Sequence, residues 1–310
     1  MTLANPAKFS DPAVTAKGEA RAVVALTHLK TLWFNTGSLC NITCRNCYMD
    51  SSPKNDDLAY LSLAEADSYL DEIAGGGLGV EEIAFTGGEP FMNRDLPAML
   101  ESALGRGFKV LVLSNAMKPM MQRADDLLDL HRRYGGKLAI RVSIDHHTPG
   151  KHEDVRGPDT WRPMLTGLKW LAENGFNMAV AGRTLWDEPE ETARAGYRAL
   201  FAAENIPVDA DNAAALVLFP EMDVHVDVPE ITVHCWNILG VKPEAMMCAT
   251  SRMVLKRKGA ASPTVVPCTL LPYDPAFELG RNLAGSATTV SLNHPHCAKF
   301  CVLGGASCSA

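Results

Sequence analysis

The sequence predicts an α/β fold: a partial (β/α)6 TIM-like barrel followed by a small C-terminal domain. Two observations carry this. Between about residues 26 and 225, six short apolar runs alternate with stretches of helical period. Strands that read as unbroken apolar runs between helices imply a parallel sheet covered by helices. After residue 225 the alternation stops, and the chain becomes rich in prolines, glycines and cysteines. A doubly wound sheet is the structural alternative. In both architectures chemistry belongs in the loops at the C-terminal ends of the strands.

The elements follow in order. Residues 1–25 form an N-terminal arm, and the barrel core runs over residues 26–225. Thr31 to Phe34 begins the first strand. Ser62-Leu-Ala-Glu65 is a capping box opening a helix with Leu63, Ala66, Leu70 and Ile73 on one face, and Gly75, Gly76 and Gly77 end it. Ile83 to Phe85 is the second strand, and Arg94 to Leu104 is a helix stopped by Gly105. Val110 to Leu113 is the third strand, followed by a helix from about Met120 to Tyr134. Leu138 to Ile144 is the fourth. Trp161, Leu165, Leu168 and Ala172 mark a helix ending at Gly175, and Met178 to Ala181 is the fifth strand. Asp187 caps a helix reaching about Ala203, and Ala213 to Phe219 is the sixth strand. In the last segment, residues 226–310, Arg252 to Lys256 and Thr264 to Val266 pair as a hairpin around Lys258-Gly259. The rest of that segment reads as a small domain too poor in core to stand without a metal staple.

The totals narrow the function. Apolar residues make up 47% and charged residues 21% of 310, ordinary for a globular chain. A net charge of -7 gives no reason to expect nucleic-acid binding, which needs clustered Lys and Arg. The start, Met1 to Asp11, has no basic segment followed by an apolar stretch, so it does not read as a secretory signal. No apolar run approaches the roughly 20 residues that span a bilayer. The expected location is the cytoplasm, with no membrane partner. Nine cysteines in that reducing setting point to metal binding or catalysis rather than disulfides. Three fall between Cys40 and Cys47, and six lie after residue 234.

The first group reads Cys40-Asn-Ile-Thr-Cys44-Arg-Asn-Cys47-Tyr48, spacing C-x3-C-x2-C, directly after the first strand. Three thiolates in one short loop can reach three irons of a cubane cluster, leaving the fourth iron open to a small molecule. A zinc site completed by a distant residue, or three buried cysteines, are the alternatives. The pattern resembles the signature of the radical S-adenosylmethionine (SAM) superfamily. The resemblance implies a 4Fe–4S cluster held by Cys40, Cys44 and Cys47, with SAM chelating the open iron. It also implies reductive cleavage of SAM to methionine and a 5′-deoxyadenosyl radical that abstracts a substrate hydrogen. A flavodoxin- or ferredoxin-like protein would be the electron donor.

Other strand ends match the same family. Thr86-Gly87-Gly88-Glu89-Pro90, after the second strand, resembles its GGE motif: two glycines let backbone come close to a ligand, and Glu89 would accept from the SAM amino group. Ser114-Asn115, ending the third strand, matches a polar position near the ribose or methionine, and is also an ordinary turn pair. Val142-Ser143-Ile144-Asp145 with Arg156-Gly157 resembles the pattern in which Ser143 and Arg156 hold the SAM carboxylate; a surface ion pair is the alternative. Tyr48 is expected near the adenine, unless it is plain core packing. Arg183 faces the mouth without an assigned role. His146-His147 read as solvated loop residues, with a general base or a substrate contact as the alternative.

The second group is Cys235, Cys248, Cys268, Cys297, Cys301 and Cys308. Cys248 and Cys268 flank the predicted hairpin, and Cys297 and Cys301 offer two further thiolates; four would complete a cluster with no open iron. This region resembles the SPASM and twitch extensions of radical SAM enzymes, through Cys248, Gly259, Cys268, Phe277-Glu-Leu-Gly280 and the closing cysteines with Gly304-Gly305. The match is partial and fits a shortened, small C-terminal iron–sulfur domain with one auxiliary 4Fe–4S cluster. Cys308 is an alternative to Cys297 or Cys301, Cys235 reads as a buried apolar thiol, and a structural zinc site is the alternative for the whole group. His294 and His296 read as solvated. The expected function is a radical SAM enzyme of the oxidoreductase type that acts on a peptide or small molecule. A non-enzymatic iron–sulfur or zinc-binding protein is the alternative.

Overall fold

The computed structural model describes residues 7–305 apart from Met222 and Val224; Cys308 lies outside the described residues. A two-residue strand β1 (Val23–Val24) precedes β2 (Thr31–Asn35), α1 (Leu63–Gly76), β3 (Glu82–Thr86), α2 (Leu96–Gly105) and β4 (Lys109–Ser114). Then come α3 (Lys118–Met121), α4 (Ala124–Tyr134), β5 (Leu138–Ser143), α5 (Pro149–Arg156), α6 (Trp161–Glu173), β6 (Asn177–Arg183), α7 (Glu190–Glu204) and β7 (Leu216–Phe219). The last part holds α8 (Cys235–Leu239), β8 (Ser251–Leu255), β9 (Thr264–Val266) and β10 (Val290–Ser291).

The main sheet has the order β7-β6-β5-β4-β3-β2-β8-β9. From β2 to β7 each strand is parallel to the one before it in sequence. That run has no reversal of direction, which a doubly wound sheet requires. The architecture is therefore the barrel type, and among the described strands β7 and β9 do not pair to close it.

Side chains alternate across this sheet. Leu32 and Phe34 on β2, Ile83 and Phe85 on β3, and Val110 and Val112 on β4 pack outward among α1, α2 and their neighbours. Trp33, Ala84 and Leu111 point the other way, into a second apolar cluster with Met253, Val266, Leu270, Phe277 and Phe300. Both faces are buried, which is why the strands read as unbroken apolar runs.

The expected hairpin of residues 252–256 and 264–266 forms, but it is not confined to a separate domain. β8 runs parallel to β2 and extends the barrel sheet, with β9 antiparallel on its outer side. The segment expected to lack a core shares one with the inner face of the sheet. The N-terminal arm joins it: β1 pairs with β10, and Arg21, buried, meets Glu230 at 2.6 Å.

Several boundaries differ from expectation. The helix read from Met120 to Tyr134 is two, because Arg123 leaves helical geometry (φ -110°, ψ 18°). Asp187 does not cap α7; it has φ +49°, and the helix begins after Pro189, whose ring biases the preceding residue away from helix. The sixth strand of the core, β7, starts at Leu216 rather than Ala213. Helix α5 went unread because only His152 and Val155 of its eight residues are buried, too few for a visible apolar period. The α1 capping box is present: Ser62 Oγ accepts from Glu65 N at 3.3 Å, and Ser62 N donates to Glu65 Oε2 at 2.9 Å. Replacing Ser62 by Ala is expected to cost ~1 kcal/mol, read as an earlier midpoint in urea unfolding.

Candidate active site

The chain leaving β2 does not cross the open end of the barrel freely. Thr36 N donates to Thr86 O at 2.8 Å, Gly88 N to Gly37 O at 2.8 Å, and Glu89 N to Leu39 O at 3.1 Å. A Cβ on Gly88 would lie 2.1 Å from Leu39 O, and one on Gly87 would lie 2.6 Å from Gly37 O; Gly87 also has φ +147°. Both positions require glycine. The sequence suggests that these glycines make room for a ligand; in the fold the space they leave is filled by residues 37–39, the root of the cysteine loop.

Docked in this way, the loop directs Cys40, Cys44 and Cys47 into one cavity of about 100 Å³, whose wall includes Gly87, Gly88 and Ser114. Burial pushes the Cys40 thiol up to about 12, with the charges of Glu89, Cys44 and Cys47 adding to it. Burial also raises the Cys44 thiol, against the pull of Arg156. Cys40 is buried and Cys44 and Cys47 are half-buried, and burial disfavours the ionised form of the first two until a cation displaces their protons. That donor set fits a metal group that takes three thiolates.

Glu89 lies behind the wall, 2% exposed. Ser114 Oγ donates to Oε1 at 3.0 Å, Asn115 N to Oε2 at 2.9 Å and Phe91 N to Oε1 at 3.3 Å. Burial raises its carboxyl to about 7, although these hydrogen bonds pull it down. Asn115 also donates through Nδ2 to Asn41 Oδ1 at 2.8 Å, tying the end of β4 to the cysteine loop.

Opposite stands a charged triad. Arg156, the last residue of α5, donates from Nε to Asp145 Oδ2 at 2.8 Å and from Nη2 to Oδ1 at 3.3 Å; Arg183 Nε lies 3.4 Å from Oδ1. Burial raises the Asp145 carboxyl, but the two guanidiniums outweigh it and hold the group below its usual value. The thiolate charges of Cys44 and Cys47 join Asp145 in raising Arg156, against the effect of burial. Ser143, Arg156 and Arg183 all line the cysteine cavity. Arg156 is thus no surface ion pair. Asp145 as its partner was not legible as a site residue: the pair is eleven positions apart, and α5, which closes that gap, has no sequence signature.

Two further cavities adjoin. One of about 70 Å³ is lined by Tyr48, Ser143, Asp145, Arg183, Phe219 and Phe300. The other, about 370 Å³, is lined by Tyr48, Tyr273, Asp274, Asn293, His294 and His296, among others. Tyr48 lines all three, so it stands at their junction.

The family model of the radical SAM superfamily matches residues 34–195, the stretch that holds every residue of the cysteine cavity. The chain belongs to the radical SAM superfamily. A GTP 3′,8-cyclase of Tolumonas auensis is 30% identical over 139 residues, 44% of this chain and 39% of that protein. The antilisterial bacteriocin subtilosin biosynthesis protein AlbA of Bacillus subtilis is 27% identical over 153 residues, 48% of this chain and 32% of that protein. The matches therefore span about a third to two fifths of the relatives' lengths. Among solved structures, Streptococcus suis SuiB bound to S-adenosylmethionine aligns with a TM-score of 0.60 at 10% identity, over 82% of this chain and 63% of that one. The native anSMEcpe with bound AdoMet aligns at 0.56 and 14% identity, over 81% and 77%. These two likenesses concern the fold.

This radical SAM chain carries its second set of thiols on the inner face of the sheet. Cys248 sits in the turn before β8, Cys268 just after β9, and Cys297 and Cys301 on a π-helical turn over Cys297–Leu303. The Cys297 thiol is raised by burial and then by the charges of Cys268 and Cys248, so the three lie within electrostatic reach of one another. Cys301 packs against the same inner cluster. The eight described cysteines form no disulfide. Cys235, expected to be a buried thiol, is only half-buried, and its sulfur accepts from Thr232 N at 3.3 Å. The histidines also differ from expectation. His296 and His146 are each 2% exposed, and burial lowers His294 to about 4 and His296 to about 3. His146 meets Glu188 at 3.1 Å and is therefore no solvated loop residue.

Two outcomes test this geometry in the metal-free chain. Gly88→Ala is expected to cost about 3 kcal/mol or more in urea unfolding, the upper end of overpacking penalties. Gly105→Ala, whose Cβ would meet nothing nearer than Tyr134 Oη at 3.5 Å, is expected to be neutral or to stabilise by up to ~1 kcal/mol. The second concerns pH. With its carboxyl at about 7 folded against an ordinary 4.5, Glu89 keeps its proton in the fold where the unfolded chain has lost it. Its stabilisation is complete below pH 4.5 and disappears as pH rises through 7, a swing of roughly 3 kcal/mol. The stability difference between the wild type and Glu89→Gln should fall over that window; a difference independent of pH would refute the assignment.

Proposed function

We propose that this chain is a radical SAM enzyme of the oxidoreductase type. In this reading Cys40, Cys44 and Cys47 hold a 4Fe–4S cluster, and S-adenosylmethionine binds its remaining iron. The observation that carries the reading is the convergence on one cavity of three thiols with Arg156 and Arg183, both held by the buried Asp145. Bound there and reduced, the cluster would supply the electron for reductive cleavage of SAM to methionine and a 5′-deoxyadenosyl radical able to remove a substrate hydrogen.

The chain's own residues orient and exclude. Asp145 takes two of the five N–H donors of Arg156, leaving three on a side chain that lines the cavity; with Ser143 these bind the SAM carboxylate. Gly87, Gly88 and Ser114 form the opposite wall, and Glu89 braces Ser114 and Asn115 from behind, supplying negative charge for the SAM amino group once it is ionised. Tyr48 closes the space between the SAM cavity and its neighbours. The substrate enters the adjoining cavity bounded by Arg183, Phe219 and Phe300. We favour a peptide: SuiB has been solved bound to its precursor peptide SuiA, and AlbA is a bacteriocin biosynthesis protein. A flavodoxin- or ferredoxin-like protein is the proposed reductant.

In the extension, Cys248, Cys268, Cys297 and Cys301 would hold the proposed auxiliary 4Fe–4S cluster, a group that would supply an electron acceptor for substrate oxidation. The donor set fits such a group, with three thiols in electrostatic contact and the fourth one π-helical turn away.

After anaerobic reconstitution, about eight iron atoms and as many sulfides per chain are expected, and about four after Cys248→Ala with Cys268→Ala. With dithionite and SAM the protein should release 5′-deoxyadenosine, and Cys40→Ala should release none. Zinc without sulfide would remove the reading. Asp145→Asn is expected to keep the iron but weaken SAM binding by roughly 10–100-fold.

A further inference from the structure

Arg252, on β8, is fully buried. Its Nε donates to Ser286 O at 3.0 Å, Nη1 to Cys248 O and Ser251 O at 2.7 Å each, and Nη2 to Thr288 O at 3.1 Å. All four acceptors are neutral backbone carbonyls. Among the described residues no carboxylate forms an ion pair with it, whereas Arg21, equally buried, has Glu230 at 2.6 Å. A guanidinium sealed from water without a counter-charge is strongly unfavourable, and proteins pair or neutralise such groups.

The negative groups that face it are sulfurs. The ionised thiols of Cys248 and Cys268 attract the guanidinium, against the cost of its burial. Four cysteine thiolates around a 4Fe–4S cube carry a net negative charge that deepens by one when an electron is added. Such a centre, ligated on one side by the residue whose carbonyl Arg252 holds, supplies the missing counter-charge.

We propose that Arg252 is the counter-charge of the C-terminal metal centre, a positioning residue that sets the centre's reduction potential. The inference rests on the auxiliary cluster proposed above. The positive charge favours the more negative, reduced state, so removing it makes the centre harder to reduce. The cluster held by Cys40, Cys44 and Cys47, whose thiols face Glu89, Arg156 and Arg183 instead, is expected to keep its potential.

The full-length protein, with Arg252→Gln and Arg252→Lys, is reconstituted anaerobically, and iron and sulfide are counted. Each protein is then titrated with dithionite while its clusters are followed by electron paramagnetic resonance. The Cys248→Ala, Cys268→Ala double variant retains only the N-terminal cluster and identifies the C-terminal signal by difference. At the potential where half the wild-type C-terminal centre is reduced, Arg252→Gln is expected to lower the ratio of reduced to oxidised centre about tenfold, equal to ~59 mV for one electron. Arg252→Lys keeps the charge but loses the forked geometry, and is expected to stay within about twofold of wild type. Equal shifts in the two variants would mean that the hydrogen bonds alone matter and would overturn the proposal, as would an unmoved Arg252→Gln. If Arg252→Gln fails to fold, Arg252→Lys decides: loss of the centre, or a shift beyond tenfold, overturns it. A wild-type protein with only about four irons would remove the auxiliary cluster itself, and this inference with it. A second cluster whose potential ignores Arg252 leaves that cluster standing and removes only the inference.

Discussion

The contact on which the site depends is between backbones. The turn after β3 lies directly on residues 37–39 of the chain leaving β2, at a separation that only glycine permits at positions 87 and 88. Because that turn is the end of a central strand, the cysteine loop inherits the rigidity of the sheet. Asn115, at the end of β4, adds a second tie to the same loop through Asn41. A loop of eight residues carrying three thiols would otherwise have many conformations, and pre-organising ligands on rigid elements is what makes a site specific. The same contact explains why Glu89 is buried and shielded: it is the next residue after the paired glycines, turned inward to collect the donors at the end of β4.

A second constraint comes from the inner face of the sheet. A partial barrel leaves that face open to water, and here the chain after β7 fills it. Met246, Met247, Leu270, Phe277 and Phe300 pack against Trp33, Ala84 and Leu111, and β8 adds a parallel strand beside β2. The packing brings Cys248, Cys268 and Cys297 together and walls the cavities that meet at Tyr48. Barrel and extension are therefore coupled through one apolar cluster. That coupling places the second group of thiols on the same side of the sheet as the first.

Charge is placed in two contrasting ways. Near the first thiols, Asp145 is shared by Arg156 and Arg183, so the cavity wall carries surplus positive charge held at fixed geometry. Buried networks of this kind are stable when every member has its partners. Near the second thiols, Arg252 has carbonyls and, among the described residues, no carboxylate. The difference marks the second location as one whose electrostatics are incomplete in the polypeptide alone.

Much of this was legible in the amino-acid sequence. The six parallel strands could be read because both faces of the sheet are buried, and the thiol spacing from Cys40 to Cys47 is local, so distance along the chain stands for distance in space. The Ser62 capping box was readable for the same reason. The partner of Arg156, the burial of His146 and His296, and the membership of β8 in the barrel sheet were not. Each depends on segments far apart in sequence or on a helix, α5, with too little apolar surface to leave a period. The glycines of 87–88 show the division most clearly. Sequence indicated that backbone must come close there; only tertiary packing decided that the approaching group is the cysteine loop, because steric exclusion acts between whatever the fold brings together, regardless of its place in the chain.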